Sequence, residues 1–362
     1  MKKEQISHMQ AGVLLFVFMT GSSIINIPGP LIAKAGNGAW ISLLLSGAWG
    51  LCVLSMLLFL YKRFPELSYI DYSRKLIGHV PTLLFGLMTL TFLFQMLSAI
   101  VMDVGLFMVT SMLRQTPVYV FTSLILLIAA MTVRAGIEVI ARMFMIIMMF
   151  SVFFISITLL LAIPDYHPEF LLPIIPKGIK PVLHGAYFTF GFPYAEVFMF
   201  GMIMQHVGIK YRHKVSRCML IALGLNVITL MISVVSSIMI FGPYASVQPY
   251  VLFAVARLVE FQEIIQRIES IIGMSLILGS YMKATITLHV ICLFLARLFG
   301  LENSSALALP VAFLCFIAGL VTFDGPSQWG MVVTAVHPLW AFAVFFLPVA
   351  ILTVTAAVRR NV

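Results

Sequence analysis

Charge is scarce in this sequence: Asp, Glu, Lys and Arg together supply 10% of 362 residues, where soluble domains carry roughly a quarter. That deficit excludes an ordinary water-soluble fold, whose surface could not be clothed by so few charged side chains. Cysteine is nearly absent as well. The four present, Cys52, Cys218, Cys292 and Cys315, lie in or beside apolar runs with no Cys-x-x-Cys spacing and no outer pair, which argues against a disulfide framework or a metal site. Missing too are a glycine-rich phosphate loop, a zinc-type histidine pair and a nucleophile elbow. No polar stretch is long enough to form a soluble catalytic domain, so neither an enzyme nor a cofactor is expected.

Apolar residues dominate instead, at 62% of the chain. Runs able to supply the roughly 20 residues that cross a bilayer lie near 10–33, 39–61, 82–112, 118–133, 140–163, 183–205, 216–241, 268–297, 305–323 and 335–358. The chain therefore reads as an all-α integral membrane protein with ten transmembrane helices in a single domain over 1–362. Its net charge of +9 concerns orientation rather than nucleic acid. With the N-terminus inside, fifteen of the 22 Lys and Arg residues fall on the cytoplasmic face, among them Lys62, Arg63, Arg74, Lys75, Arg212 and Arg297, so both termini are expected there. Met1-Lys2-Lys3-Glu4 leads into an uncleaved first span, for no small-residue cleavage site follows.

Two of the spans are interrupted where lipid forbids it. Thr20-Gly21-Ser22-Ser23 and then Asn26-Ile27-Pro28-Gly29-Pro30 break the first, and Thr189-Phe190-Gly191-Phe192-Pro193-Tyr194 breaks the sixth. An unpaired backbone group costs several kcal/mol in hydrocarbon, so irregular backbone at that depth survives where protein buries it or where it lines a polar cavity. Breaks five spans apart suggest two inverted repeats, about 10–163 and 183–323 with 335–358 completing the second, whose broken helices meet near the midplane. Each half-helix would then offer orphan N–H groups or carbonyls to a ligand, a geometry that suits an amino acid zwitterion. Thr20, Gly21, Ser22, Ser23, Asn26, Phe190, Gly191 and Tyr194 are the candidate binding residues. The plainer alternative is that Pro28 and Pro193 only kink their helices.

Asp103, Glu196 and Lys283 are the ionisable residues deepest in the predicted hydrocarbon, each costing about 2.5–3.5 kcal/mol unless it faces a cavity or a partner. Glu196, in the first turn after Pro193, is the leading candidate to take a ligand ammonium or a proton. Lys283 could stand where a coupling cation would sit, or serve as a structural tether, and Asp103 could be its partner. His184, His206 and His289 have no second metal-type ligand at helical spacing and read as interface anchors. Between the seventh and eighth spans, Ala254 to Glu269 reads as an amphipathic helix on the outer surface, either gating the cavity mouth or joining two spans.

Gly21-Ser22-Ser23-Ile24 followed by Pro28-Gly29 resembles the first-helix signature of amino acid/polyamine/organocation transporters, whose usual Gly-Ser-Gly binds a substrate carboxylate through backbone amides. Here the third position is Ser23. Within that superfamily the chain is more similar to the spore germination receptor B subunits, or spore permease family. Thr116-Pro117, Phe190-Gly191 with Glu196, Pro249 with Ala256-Arg257 and Arg267-Ile268-Glu269, Lys283, and Leu298-Phe299-Gly300 carry that likeness in order over essentially the whole chain. Gly38 departs from it, where many members carry Asp before Ala-Trp.

The resemblance implies a LeuT-type fold of 5+5 inverted repeats in the spore inner membrane, working beside an A subunit and a C lipoprotein. It implies a sensor of an amino acid or similar small nutrient; Asp103, Lys283, Arg267 and Glu269 are the expected coupling or gating residues. A proton- or cation-coupled amino acid transporter and an ion pathway are the alternatives. On the site reading, Glu196→Gln and Gly21→Leu would each abolish the response at normal protein abundance.

Overall fold

A computed structural model describes residues 4–176, 178–258 and 268–359. The chain starts its first helix on a capping box: Ser7 Oγ accepts from Gln10 N–H while Gln10 Oε1 accepts from Ser7 N–H at 2.8 Å, satisfying donors that a helix start leaves orphaned. The first span then runs as His8–Thr20, Ser23–Asn26 and Pro28–Ala35. The second is Ala39–Arg63. A short connecting helix, Tyr69–Ile77, has its own Ser68–Asp71 capping box and ends at Gly78, whose φ of 89° favours glycine. The third span, His79–Phe107, begins directly after it.

Val118–Arg134, Ile137–Leu161, the broken sixth span from Ile179–Thr189 to Phe200–Ile203, and Arg212–Phe241 follow. The eighth span is Ile268–Phe299 and the ninth Ala308–Thr322. The tenth is composite, from Pro326–Met331 through His337–Ala341 to Leu347–Val358 with π-turns between, and it starts nine residues before the apolar run suggests. Among the described residues eight stretches have the length and apolarity to cross a membrane, Pro28–Arg63 among them, with Val118–Arg134 a shorter apolar helix. Adding the interrupted sixth yields the ten spans read from the sequence. Among the described residues no strand forms beyond one isolated bridge, Ile6 with Val207.

Burial sorts the spans into a centre and a rim. The most apolar windows of the third and eighth are 83% buried, that of the fifth only 17%, so the fifth meets lipid while the third and eighth share the core with the two broken spans. Asp103 and Lys283 lie on those two most buried helices, which settles that neither snorkels to the interface.

Of the segment expected as an amphipathic helix over Ala254 to Glu269, only the two ends are described. Val251–Leu258 is helical, with Val251, Leu252, Phe253, Val255 and Ala256 buried and Arg257 and Leu258 exposed. Phe107 of the third span holds the Tyr250 and Phe253 rings edge-on at 4.9 and 5.2 Å. Gly29 packs directly on the Gln248 carbonyl oxygen. Residues 259–267, with the expected gating residue Arg267, lie outside the described residues, and Glu269 stands in the first turn of the eighth span.

Candidate functional site at the two helix breaks

The two breaks are built differently. At the first, the backbone hardly leaves the helix: Gly21 has φ −44°, ψ −65° and Ser22 φ −86°, ψ −24°. What sets it apart is contact with the eighth span. A Cβ on Gly21 would stand 2.5 Å from the Gly279 carbonyl oxygen and 2.8 Å from that of Val17, and a Cβ on Gly279 would strike the Gly21 backbone in turn. The glycine expected to admit a ligand therefore admits another main chain. At the second break the chain is extended at Phe192, φ −132° and ψ 106°, ahead of a cis peptide bond to Pro193.

That extended residue aims the sixth span's carboxylate at the eighth span. Glu196 Oε2 lies 2.6 Å from Lys283 Nζ, with both side chains at most 1% exposed. His337 of the tenth span brings Nε2 to 3.3 Å from the other oxygen of Glu196. The Lys283 ammonium also sits 4.0 Å from the Phe192 ring centroid and 5.2 Å from that of Phe18, a cation–π cage that replaces part of its lost hydration. Four spans thus converge on one ion pair, and the partner of Lys283 is Glu196 rather than Asp103.

A second polar pair lies in the first span beyond its first break, where Asn26 Nδ2 donates to Asp103 Oδ2. Thr20 Oγ1 accepts from Asn226 Nδ2 of the seventh span at 2.9 Å. The hydroxyls of Ser22, Ser23 and Ser280, with Asn26 Oδ1 and Asp103 Oδ1, are buried without a hydrogen-bond partner among the described residues. Buried polar atoms are nearly always paired. A group of unpaired ones on three spans beside an ion pair is what a polar ligand would satisfy.

The other candidates of the sixth span face elsewhere. Phe190 stacks edge-on with Trp49 at 6.0 Å and lines an apolar groove of about 650 Å³ with Leu45, Cys52 and Phe342. Gly191 abuts Pro338, where a Cβ would come within 2.5 Å of the proline Cα. Tyr194 fills the hollow over Gly47 and Gly50 of the second span. In their place stand Phe192 of the same break, Ser280 of the hydroxylated stretch around Lys283, and His337, which the sequence reading does not name. An ionisable side chain inside an apolar run was the available signal for His337.

His206 and His289 come together. Their rings lie 6.3 Å apart in a polar cavity of about 630 Å³ on the opposite side from the 242–258 segment, lined also by Glu4, Asp71, Arg74 and Arg297. The N-terminal strip closes one edge of it. Ile6 N–H donates to His206 O at 2.9 Å and Gly208 N–H to Ile6 O at 3.1 Å, while Glu4 Oε2 accepts from Ile137 N–H at 2.8 Å. Among the described residues no cluster of three His, Cys, Asp or Glu residues stands close enough to hold a metal ion, and all four cysteines are free thiols.

The family model for spore germination proteins matches residues 5–324. Over 315 residues, 86% of this chain and 83% of the relative, the chain is 26% identical to spore germination protein KB of Bacillus subtilis (strain 168). Over 182 residues, half of each protein, it is 22% identical to YndE of the same organism. Its backbone is similar to that of MhsT in complex with L-phenylalanine, with a TM-score of 0.70 at 13% identity and 99% of both chains covered. It is similar as well to Mhp1, a nucleobase-cation-symport-1 family transporter in a closed conformation with bromovinylhydantoin bound, at TM-score 0.71, 14% identity, 99% of this chain and 80% of that one. These structural likenesses establish the LeuT-type fold.

Proposed function

The chain belongs to the spore germination protein family, also called the spore permeases, and from that membership we propose that it is the nutrient-binding B subunit of a germinant receptor in the spore inner membrane. It binds an amino acid or similar small nutrient between its broken first and sixth spans and passes the signal to an A subunit and a C lipoprotein. One observation carries the reading: the broken sixth span buries one half of a caged ion pair and the broken first span buries unpartnered hydroxyls, both in the interior of the bundle. In hydrocarbon such a cluster is costly to keep and marks a functional site. MhsT, of similar fold, holds L-phenylalanine, a ligand of the same class.

In this reading the ligand ammonium goes to Glu196, with Asp103 and Asn26 completing the polar wall, and its carboxylate goes to the hydroxyls of Ser22 and Ser23. Binding favours one arrangement of the broken helices over another by the difference in its affinity for the two. Both termini lie in the cytoplasm, and Arg267 and Glu269 belong to the gate on the opposite side.

Spores lacking this chain, compared with spores complemented in trans across a panel of amino acids and sugars, are expected to lose one nutrient response while vegetative uptake of that nutrient is unchanged. Unchanged germination with reduced uptake supports the second reading, a proton- or cation-coupled amino acid transporter. The cavity of about 630 Å³ that opens along the eighth span from His289 to Gly300 favours that reading specifically, because it puts polar side chains on the helix that carries Lys283.

A further inference from the structure

We propose that His337 is a built-in competitor of the ligand: its imidazole occupies the place on Glu196 that the cationic group of the nutrient takes, and its displacement releases the tenth span. This inference rests on the reading of Glu196 as the group that binds the ligand ammonium.

Glu196 has two neighbours able to carry positive charge, and they are held very differently. Lys283 is 2.6 Å from Oε2 and is wedged between the Phe192 and Phe18 rings. His337 is 3.3 Å from Oε1, the longer of the two contacts; neither it nor Lys283 meets aligned hydrogen-bond geometry. A ligand ammonium is a stronger partner for a carboxylate than an imidazole contact of that length. It will therefore replace His337 and leave the caged lysine in place.

The element that carries His337 is built to move. His337–Ala341 is five residues of α-helix between two π-turns, Val332–Val336 and Phe342–Phe346, an irregularity that recurs at functional sites. On the inner side Pro338 interlocks with Gly191 of the sixth-span break. On the third span the Phe92 ring lies 4.7 Å from the His337 ring and 5.4 Å from that of Trp340. From the second π-turn itself, Phe342 and Phe346 reach the exposed Trp49 of the second span. Displacement of one imidazole is thus passed from the ion pair to the outer face of the bundle through a segment with loosened helical geometry.

A structural role and a competitor role predict opposite signs. His337→Gln keeps a polar side chain of similar reach but lacks the ability to become cationic, whereas His337→Arg supplies a permanent cation. Complemented spores are titrated with the common L-amino acids, following the fall in optical density, with abundance checked in the membrane fraction. His337→Gln is expected to lower the half-maximal nutrient concentration roughly tenfold, and His337→Arg to raise it by as much or more, a contact to a charged group being of that size. An unchanged or raised value in His337→Gln, at normal abundance, overturns the competitor role. Failure of the underlying reading looks different: Glu196→Gln would then leave the response intact, whatever His337 does.

Discussion

Removing one charge of the Glu196–Lys283 pair is expected to abolish the nutrient response and to destabilise the protein by about 3–5 kcal/mol, the cost of stranding a buried ion. Lys283→Met leaves the Glu196 carboxylate with only the looser His337 contact at 3.3 Å. Glu196→Gln leaves a fully buried ammonium beside two aromatic faces, with a neutral amide where its carboxylate partner stood. The double variant Glu196→Gln/Lys283→Met removes both charges, and buried pairs replaced by neutral groups are often neutral or stabilising. It should recover the thermal stability of detergent-extracted protein while the response stays lost. Non-additivity of this kind is the signature of two residues acting on each other. If either single variant were as stable and as responsive as the wild type, the pair would be a bystander.

Gly21→Ala and Gly279→Ala come next in size. Each adds one methyl group where the nearest atoms are main-chain carbonyls, at 2.5 Å for Gly21, so no side chain can rotate away. Overpacking ordinarily costs about 1–3 kcal/mol, and contact with backbone on both sides puts these sites at the upper end or beyond. Both variants are expected to reduce the amount of monodisperse protein recovered from membranes. Gly300→Ala, with nothing within 4 Å of its Cβ but a φ of +71°, pays only the local backbone strain and should fall well short of them. This revises the expectation that a larger residue at position 21 silences the response at normal abundance: the first loss is of the fold, through the interface of the first and eighth spans. Equal recovery of all three glycine variants would overturn the packing account.

The legibility of the site varied with the kind of information each residue carries. Glu196, Lys283 and Asp103 stood out because a charge inside an apolar run is visible in one dimension. Asn26 and the serines were found because they sit at an interruption, and three of them do carry the unpartnered oxygens. Phe190, Gly191 and Tyr194 were chosen for the same reason, yet they turn to the second and tenth spans. The break located the segment but not its rotation. His337 went unnoticed because it lies within a span that was read as a continuous apolar run, and the buried face of the 251–258 helix because its partners are over a hundred residues away in sequence.

What the sequence alone determined is an all-helical membrane protein with ten spans, two of them broken, and a few charges committed to its interior. These follow from local physics: the length of an apolar run, the demand that lipid places on backbone hydrogen bonds, and the cost of an ion in hydrocarbon. Tertiary structure alone decided which side chains meet. A helix apolar nearly all the way round has no polar face to declare how it is turned, so the rotation of each half-helix was settled by close packing, glycine against glycine and tyrosine into a glycine hollow. That rotation placed Lys283 beside Glu196, set His337 on the far oxygen, and sent Tyr194 away from the site.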